Sequence, residues 1–281
     1  MSSKENYKLC PSCSDVKTDK NHNLYSIDKV KDKEVEKYLP LFNEQVRPNG
    51  AQKVKIDLGK TYSNCLIYYY TSETKSSEQH KRHSESYEHT SNFGLKKLDI
   101  DGKAILYLNC PQHYKEGKNS YMSHVHVLIS DKNMTHWKDK QITYSVVCVI
   151  PINIVKKHIS KSDRLIVNAL SSEYHEKSHI PSSFNLYYKD AKKMTPKEIQ
   201  IKVKEMIKEH PKYKSYLEKT KISFTEIPIC AYCYNEGCTA GHQLINELYR
   251  AGFTNVIDYK GGIQEWDKVH KKKSKKTSSK K

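Results

Sequence analysis

Cysteine is the residue type with the clearest chemical potential in this sequence. Two of the eight cysteines, Cys233 and Cys238, lie in a short polar stretch between an apolar strand candidate and a helix candidate. The positive end of a helix dipole lowers the pKa of a nearby thiol, which populates the nucleophilic thiolate near neutral pH. Cysteines in such a position are candidates for covalent or redox chemistry.

The remaining cysteines are also expected to be thiols or metal ligands. The first residues, MSSKENYKLCPSC, contain no apolar stretch typical of a secretory signal. The longest apolar run, 142–155, is interrupted by polar residues and is too short to span a bilayer. We expect a soluble intracellular protein, cytoplasmic, nuclear or packaged in a virion, in which a disulfide framework is not favoured.

A second constellation has the spacing of zinc ligands. Cys10 and Cys13 form a C-x-x-C pair, which is half of a zinc site. Cys110 with His113 would complete four ligands, as would a pair of histidines on one face of a strand, His124 and His126. In the alternative interpretation, C-x-x-C belongs to a flexible terminus, and His124 and His126 lie on a solvated strand face. The separation of about 100 residues between the two halves of the zinc site favours this alternative.

The N-terminal half is predicted to be rich in strands. Residues 1–50 form a polar segment, and residues 51–149 form an antiparallel β or α+β domain. Residues 72–92 contain almost no aliphatic side chains and are predicted to be a mobile loop. The strand candidates, bounded by turns such as Asp101-Gly102, are 53–58, 64–71, 103–109, 123–130 and 141–150.

The C-terminal half, residues 150–267, alternates strands and helices, which favours an α/β domain with a central parallel sheet. The strand candidates are 164–170, 226–232 and 255–259. Thr195 should cap a helix that Pro211 ends or bends, and Gly252 should stop a helix over 241–251 with Phe253 folding back. A last short helix is predicted over 263–269, followed by a disordered Lys-rich tail over 268–281.

Three segments of this half resemble the rhodanese-like domains. They are RLIVNALSSEYHEKSHIPSSFNL (164–186), PICAYCYNEGCTAGHQLINEL (228–248) and AGFTNVIDYKGGIQEW (251–266). Each segment alone is a weak signal, but together, in the family's order and with family-like separations, they are specific. The resemblance covers roughly 150–268 and does not extend to residues 1–149.

The resemblance implies that Cys233 is the nucleophile and takes up sulfane sulfur as a persulfide. It also implies a loop whose backbone N–H groups converge on an anion, formed here by Tyr234, Asn235, Glu236, Gly237 and Thr239. Because C-x4-C-x-A resembles a subgroup with two loop cysteines, Cys238 could resolve a persulfide or sulfenate by forming a disulfide. Alternatively, Cys238 is only a small residue that faces the helix.

The sequence departs from the family's pattern at several positions. The family often has Asp-x-Arg where this chain has Asn168 and Leu170, and Ser178 stands where it has glycine. The loop contains Glu236 and no Lys or Arg, which opposes thiolate formation and the binding of anionic thiosulfate. A phosphatase is not expected, because Cys-x5-Arg is absent.

Two histidines of this half are expected to have no catalytic role. His179 resembles the histidine of the family's "GHIP" stretch, which is usually structural. His242, at the start of the helix after the loop, could contact a ligand, but an exposed residue in the first turn is the favoured interpretation. No cofactor is required by this scheme, and structural zinc is the one metal that the sequence suggests.

The chain is strongly basic, with a net charge of +17. Its 21 Tyr and its excess of Lys over Arg are typical of an AT-rich genome, such as that of a large DNA virus or a parasite. The tail 268–281 contains eight Lys and no acidic residue, a composition that suits nuclear targeting or contact with nucleic acid phosphates. A merely solubilising tail is the alternative.

Two functional hypotheses follow. The first is a rhodanese-like sulfurtransferase or thiol-redox protein acting at Cys233, with a sulfur donor or acceptor or a thiol protein as partner. The second is a catalytically degenerate scaffold that acts as a nucleic-acid-associated, structural or packaging protein through its basic surface.

Overall fold

The computed structural model describes residues 52–72, 92–116, 119–135 and 137–278. The chain divides into two compact units between Val146 and Val147. The polar segment 1–50, most of the predicted loop 72–92 and the end of the Lys-rich segment lie outside the described residues. Within the described ranges, no helix combines the length and apolarity needed to cross a membrane.

The first unit consists mainly of antiparallel strands. They are β1 (Gln52–Asp57), β2 (Leu66–Thr71), β3 (Phe93–Lys97), β4 (Lys103–Leu108), β5 (Tyr114–Glu116), β6 (Asn119–Tyr121), β7 (His124–Ser130) and β8 (Trp137–Ser145). One sheet has the order β3-β2-β7-β8, and two smaller sheets pair β1 with β4 and β5 with β6. The antiparallel, β-rich prediction for this half is confirmed.

Burial explains which strands the sequence reveals. Strands β2 and β7 are buried along their whole length, in agreement with their continuous runs of Tyr, Val, Leu and Ile. Strand β1 alternates buried and exposed residues, as a half-buried strand should. Strands β3, β5 and β6 were not predicted, because their sequences FGLKK, YKE and NSY lack that pattern and depend on pairing with a neighbour.

The second unit alternates helices with short parallel strands. Its strands are β9 (Leu165–Asn168), β10 (Phe184–Asn185), β11 (Ile229–Tyr232) and β12 (Val256–Tyr259). Its helices are α1 (Ile152–Lys161), α2 (Ser172–Lys177), α3 (Tyr188–Lys193), α4 (Pro196–Lys208), α5 (Pro211–Thr220), α6 (Ala240–Arg250) and α7 (Gly262–Ser278). The parallel sheet has the order β10-β9-β11-β12, which confirms the predicted α/β architecture.

Helices cover both faces of this sheet. On one face, α1 and α7 bury Val155, Ile263 and Trp266 against Cys230 and Tyr232 of the sheet. On the other face, α6 packs on β11 and β12 through Leu244, Ile245 and Leu248, which are fully buried. Because both faces are covered, the strands are short apolar runs rather than alternating sequences.

The predicted helix boundaries have clear physical causes. Thr195 and Glu198 form the expected capping box at the start of α4. Gly252 ends α6 with φ at +92°, and the Phe253 N–H donates to the Leu248 carbonyl. Pro211 begins a further helix, α5, which was not predicted. Helix α7 extends beyond the predicted 263–269, because the Lys-rich sequence after it contains no Gly or Pro to break a helix.

The hydroxyl of Tyr232 joins three parts of the second unit. Tyr232 is fully buried at the end of β11, and its oxygen accepts hydrogen bonds from the Ile180 N–H and the Asn168 side-chain amide, at 3.0 and 3.1 Å. It also shares a 2.8 Å hydrogen bond with the Ser183 hydroxyl. These bonds fix the end of β11 relative to β9 and to the segment before β10.

Replacing Tyr232 by Phe should therefore destabilise the protein. Tyr232→Phe leaves the buried Asn168 amide and Ile180 N–H without their acceptor, which should lower the free energy of unfolding by about 1–3 kcal/mol. The control is Tyr174→Phe, since Tyr174 is 56% exposed, and its effect should stay within about 0.5 kcal/mol. Urea denaturation measures both; equal midpoints for the two variants would contradict the structural role of the hydroxyl.

Candidate active site

Cys233 directly follows β11, and the loop 233–239 leads from it into α6. The side chain of Cys233 is buried, Cys238 is half-buried, and Tyr234, Glu236, Gly237 and Thr239 are exposed. A turn in which the Cys238 N–H donates to the Asn235 carbonyl, at 3.0 Å, brings the end of the loop back toward its start. The loop therefore places two cysteines of different accessibility side by side.

The Cys233 sulfur is surrounded mainly by polar groups of its own loop. Its thiol donates to the carbonyl of Cys238 at 3.3 Å and lies 3.9 Å from the carbonyl of Asn235. The Gly241 N–H, in the first turn of α6, donates to the sulfur, and the Cys238 thiol hydrogen bonds with it. Both cysteines are free thiols, so the pair can be oxidised to a disulfide.

This environment favours the neutral thiol, and the predicted lowering of the Cys233 pKa is wrong. Burial is the largest effect and raises the pKa of Cys233 to about 12, with the Cys238 thiol and the Asp258 carboxyl acting in the same direction. The Gly241 N–H lowers it, but less. Sequence reasoning included the field of the helix and omitted burial, which is stronger here.

The N-terminus of α7 supports the backbone of the loop. The N–H groups of Ile263 and Gln264 donate to the carbonyls of Cys233 and Tyr234, at 3.0 and 2.9 Å. Gly262 has φ at +60°, and a Cβ atom there would lie 2.5 Å from both carbonyl oxygens. Only glycine permits this approach, so the start of α7 and the loop form one structure.

This strand, the cysteine loop and the helix after it belong to the second of the three segments that carry the resemblance, residues 228–248. A family model described as "Rhodanese-like domain" matches residues 152–269. The second unit is a rhodanese-like domain. No family is recognised in the first unit, and no curated protein matches the chain.

Solved structures are similar to part of this chain at low identity. The human single-domain sulfurtransferase TSTD1 is 13% identical, with 43% of this chain and 95% of that chain covered, at a TM-score of 0.30. The single-domain sulfurtransferase RDL2 of Saccharomyces cerevisiae is 12% identical, with 44% and 92% covered, at 0.32. The BH2092 protein of Bacillus halodurans is 19% identical, with 43% and 72% covered, at 0.30.

The positions that depart from the family's pattern are structural in this rhodanese-like domain. Asn168 is fully buried; its side-chain oxygen accepts from the Leu170 N–H at 2.8 Å, and its amide donates to Tyr232. The Ser178 hydroxyl donates to the Asp267 carboxylate at 3.1 Å. An asparagine can thus hold β9 to β11 without a negative charge.

The two histidines lie where the sequence suggested. His179 is exposed, its ring stacks on that of His175 with 4.4 Å between centroids, and its Nδ1 bonds to the His175 carbonyl at 2.8 Å. His242 is exposed in the first turn of α6. Cys230 is fully buried inside β11, and burial raises its pKa to about 12, in keeping with an inert thiol.

Sequence reasoning missed Asp258, the buried carboxyl nearest to this site. It lies on β12, opposite Ala231 of β11, and only 3% of it is exposed. Burial raises its pKa to about 6, while the charge of Lys260 acts in the opposite direction. Its position inside an apolar strand, VIDY, was the available signal, because a charged residue in a buried run requires an explanation.

The predicted zinc ligands are not brought together by the described residues. Cys10 and Cys13 lie outside them, and no group of three or more His, Cys, Asp or Glu side chains within 52–72, 92–116, 119–135 and 137–278 could hold a metal ion. Cys110 and Cys148 are each in a disulfide rather than free, against the expectation of free thiols, so Cys110 offers no thiolate in this state. The zinc site predicted at Cys10, Cys13, Cys110 and His113 stays a prediction.

The other histidine pair is buried rather than solvated. His124 and His126 are only 2% and 4% exposed, and burial lowers the pKa of His124 to about 4. The His124 Nδ1 bonds to the Met122 carbonyl and the His126 Nδ1 to the Thr143 hydroxyl, at 2.6 and 2.9 Å. Their prediction as a solvated strand face is therefore wrong, because β7 is a central strand.

The raised pKa of Cys233 predicts how its reactivity depends on pH. Between pH 7 and 10, alkylation of Cys233 by iodoacetamide should accelerate about tenfold per pH unit without a plateau, because the thiolate remains a small fraction below a pKa of about 12. Peptide mapping by mass spectrometry measures the rate at this residue. The urea-unfolded chain is the control and should level off above its ordinary pKa of about 8.5; a plateau near pH 8 in the folded protein would contradict the assignment.

The close contact between Gly262 and the loop carbonyls predicts that a larger side chain at position 262 destabilises the protein. Gly262→Ala forces a Cβ atom against the Cys233 and Tyr234 carbonyls at a positive φ and should cost about 1–3 kcal/mol of stability. Gly237→Ala is the control in the same loop, since its nearest neighbour would be the Asn235 side chain at 3.7 Å. Chemical denaturation should separate the two variants, and equal midpoints would show that α7 does not support the loop.

Proposed function

We propose that the rhodanese-like domain is a sulfurtransferase-type thiol protein, in which Cys233 accepts sulfane sulfur and Cys238 resolves the resulting persulfide. The observation that carries the proposal is the 3.3 Å contact between the Cys233 thiol and the Cys238 carbonyl, which brings together two cysteines with free thiols, one buried and one half-buried, before α6. The sulfurtransferases among the solved structures agree with this function but do not carry it.

In the first step a donor persulfide, R–S–SH, meets the Cys233 sulfur. The Cys233 thiolate attacks the outer sulfur of the donor, the donor's S–S bond breaks, and R–S⁻ leaves with the electron pair and takes up a proton. The product is a persulfide on Cys233. The Gly241 N–H, which already bonds to this sulfur, would stabilise the thiolate as it forms.

In the second step the adjacent thiol removes the sulfur. The Cys238 thiolate attacks the inner sulfur of the persulfide, the S–S bond breaks, and HS⁻ leaves while a disulfide joins Cys233 and Cys238. The persulfide sulfur is thereby reduced to sulfide, and the two cysteines are oxidised. An external dithiol that reduces the disulfide would complete the cycle.

Thiosulfate is not the donor that this site favours. The buried, neutral Cys233 thiol and the absence of Lys and Arg from the loop leave two negative charges without a partner. The half-buried Cys238 is a better match for a thiol-disulfide reaction with a larger thiol partner, since it can be reached from solvent. Thiol-redox chemistry is therefore part of the proposed function.

The proposal predicts different products from three forms of the full chain incubated with cysteamine persulfide, whose ammonium group keeps the donor from being anionic overall. The wild type should release sulfide and end as the Cys233–Cys238 disulfide. Cys238→Ser should accumulate the persulfide on Cys233, because no thiol remains to resolve it, and Cys233→Ser should do neither. Mass spectrometry of the peptides and a sulfide assay measure these outcomes.

A matched control is Cys65→Ser, since Cys65 is also a buried free thiol but belongs to the first unit. It should behave as the wild type does. The proposed function fails if Cys238→Ser carries no persulfide on Cys233, or if sulfide release is the same with and without Cys233. In that case the degenerate-scaffold hypothesis becomes the better one.

A further inference from the structure

Asp258 places a buried carboxyl directly behind the Cys233 loop. Its Oδ1 lies 3.3 Å from the point where a Cβ atom of Gly241 would stand, and the Gly241 N–H bonds to the Cys233 sulfur. The same Cβ position is 3.7 Å from the Cys233 backbone nitrogen. The Asp258 carboxyl and the Cys233 backbone therefore both lie beside Gly241, at the start of α6.

The groups around Asp258 do not neutralise it. Cys230 on β11 and Cys233 are buried thiols whose pKa burial raises to about 12, and His242 on α6 is exposed. Lys260, after β12, is the one basic residue whose charge opposes that of Asp258, and among the described residues no ion pair involves this carboxyl. A buried charge without a close partner acts over a longer distance than a solvated one.

The exposed part of the site adds to this field. Glu236 is the only charged residue of the loop 233–239. A reagent that approaches Cys233 is thus under the field of two acidic side chains, the exposed Glu236 of the loop and the buried Asp258. An anion would lose its hydration here without gaining a cationic partner.

We propose that Asp258 is a specificity-determining residue whose negative charge makes the Cys233 site select against anionic reagents. This inference rests on the proposed function. It means that the sulfur donor is uncharged or cationic near the sulfur that it transfers; a protonated persulfide on a basic peptide is an example. The effect does not require Asp258 to touch the reacting atoms, since a charge acts through space.

Two alkylating reagents that differ in charge test the proposal on the full-length protein. Iodoacetate is anionic and iodoacetamide is neutral, and the ratio of their rates at Cys233 cancels the fraction of thiolate. Asp258 is ionised at pH 9, since burial raises its pKa only to about 6. Asp258→Asn should raise the iodoacetate-to-iodoacetamide ratio about threefold or more at this pH.

Two further variants make the result decisive. Lys260→Gln removes the exposed positive charge that opposes Asp258, so it should lower the iodoacetate-to-iodoacetamide ratio. This variant keeps the test valid if Asp258→Asn does not fold. Asp190→Asn removes an equal charge from an exposed position on α3 and should leave the ratio unchanged. An unchanged ratio in both Asp258→Asn and Lys260→Gln would overturn the proposal.

The outcome is separable from that of the proposed function, because alkylation needs no sulfur transfer. A shifted ratio with no persulfide on Cys233 would leave Asp258 in its role and remove the sulfurtransferase activity. A persulfide on Cys233 together with unshifted ratios would support the sulfurtransferase activity and remove the role of Asp258.

Discussion

Strand β11 is hydrogen-bonded along both edges, to β9 and to β12, and the geometry of the site depends on this central place. A strand with two partners cannot shift its register without breaking both ladders, so the residue that follows it has a fixed position. The Tyr232 hydroxyl fixes the same end of the strand from one side, and the first turn of α7 holds the loop carbonyls from another. Cys233 is therefore positioned by the sheet as a whole.

The cost of this fixed position is a thiol that is hard to ionise. Helix α6 points its N-terminus at the sulfur, as expected for a nucleophilic cysteine, but burial and the neighbouring acidic groups outweigh that field. A resting site of this kind is protected from indiscriminate oxidation, since oxidation follows thiolate character and exposure. Reaction then depends on what the incoming partner contributes to deprotonation, which fits a specific thiol or persulfide partner better than a small abundant oxidant.

The sequence was most informative where local chemistry decides the structure. The capping box at Thr195, the glycine stop at Gly252 and the apolar run of β9 are set by neighbouring residues, so they could be predicted. The pKa of Cys233 and the proximity of Asp258 arise from packing between β11, β12 and α6, which are separated along the chain. Strands such as β3 could not be predicted for the same reason, because pairing and not composition makes them strands.

The close approach of Gly262 to the loop has a consequence for the modularity of the domain. Because the glycine backbone fills the space beside the Cys233 and Tyr234 carbonyls, the loop and the start of α7 are matched parts, although they lie almost thirty residues apart in the sequence. A graft of the loop onto another scaffold, or an exchange of the C-terminal helix, would preserve the geometry only if both were transferred together. For engineering and for sequence comparison, the unit that carries the chemistry is thus a discontinuous pair of segments.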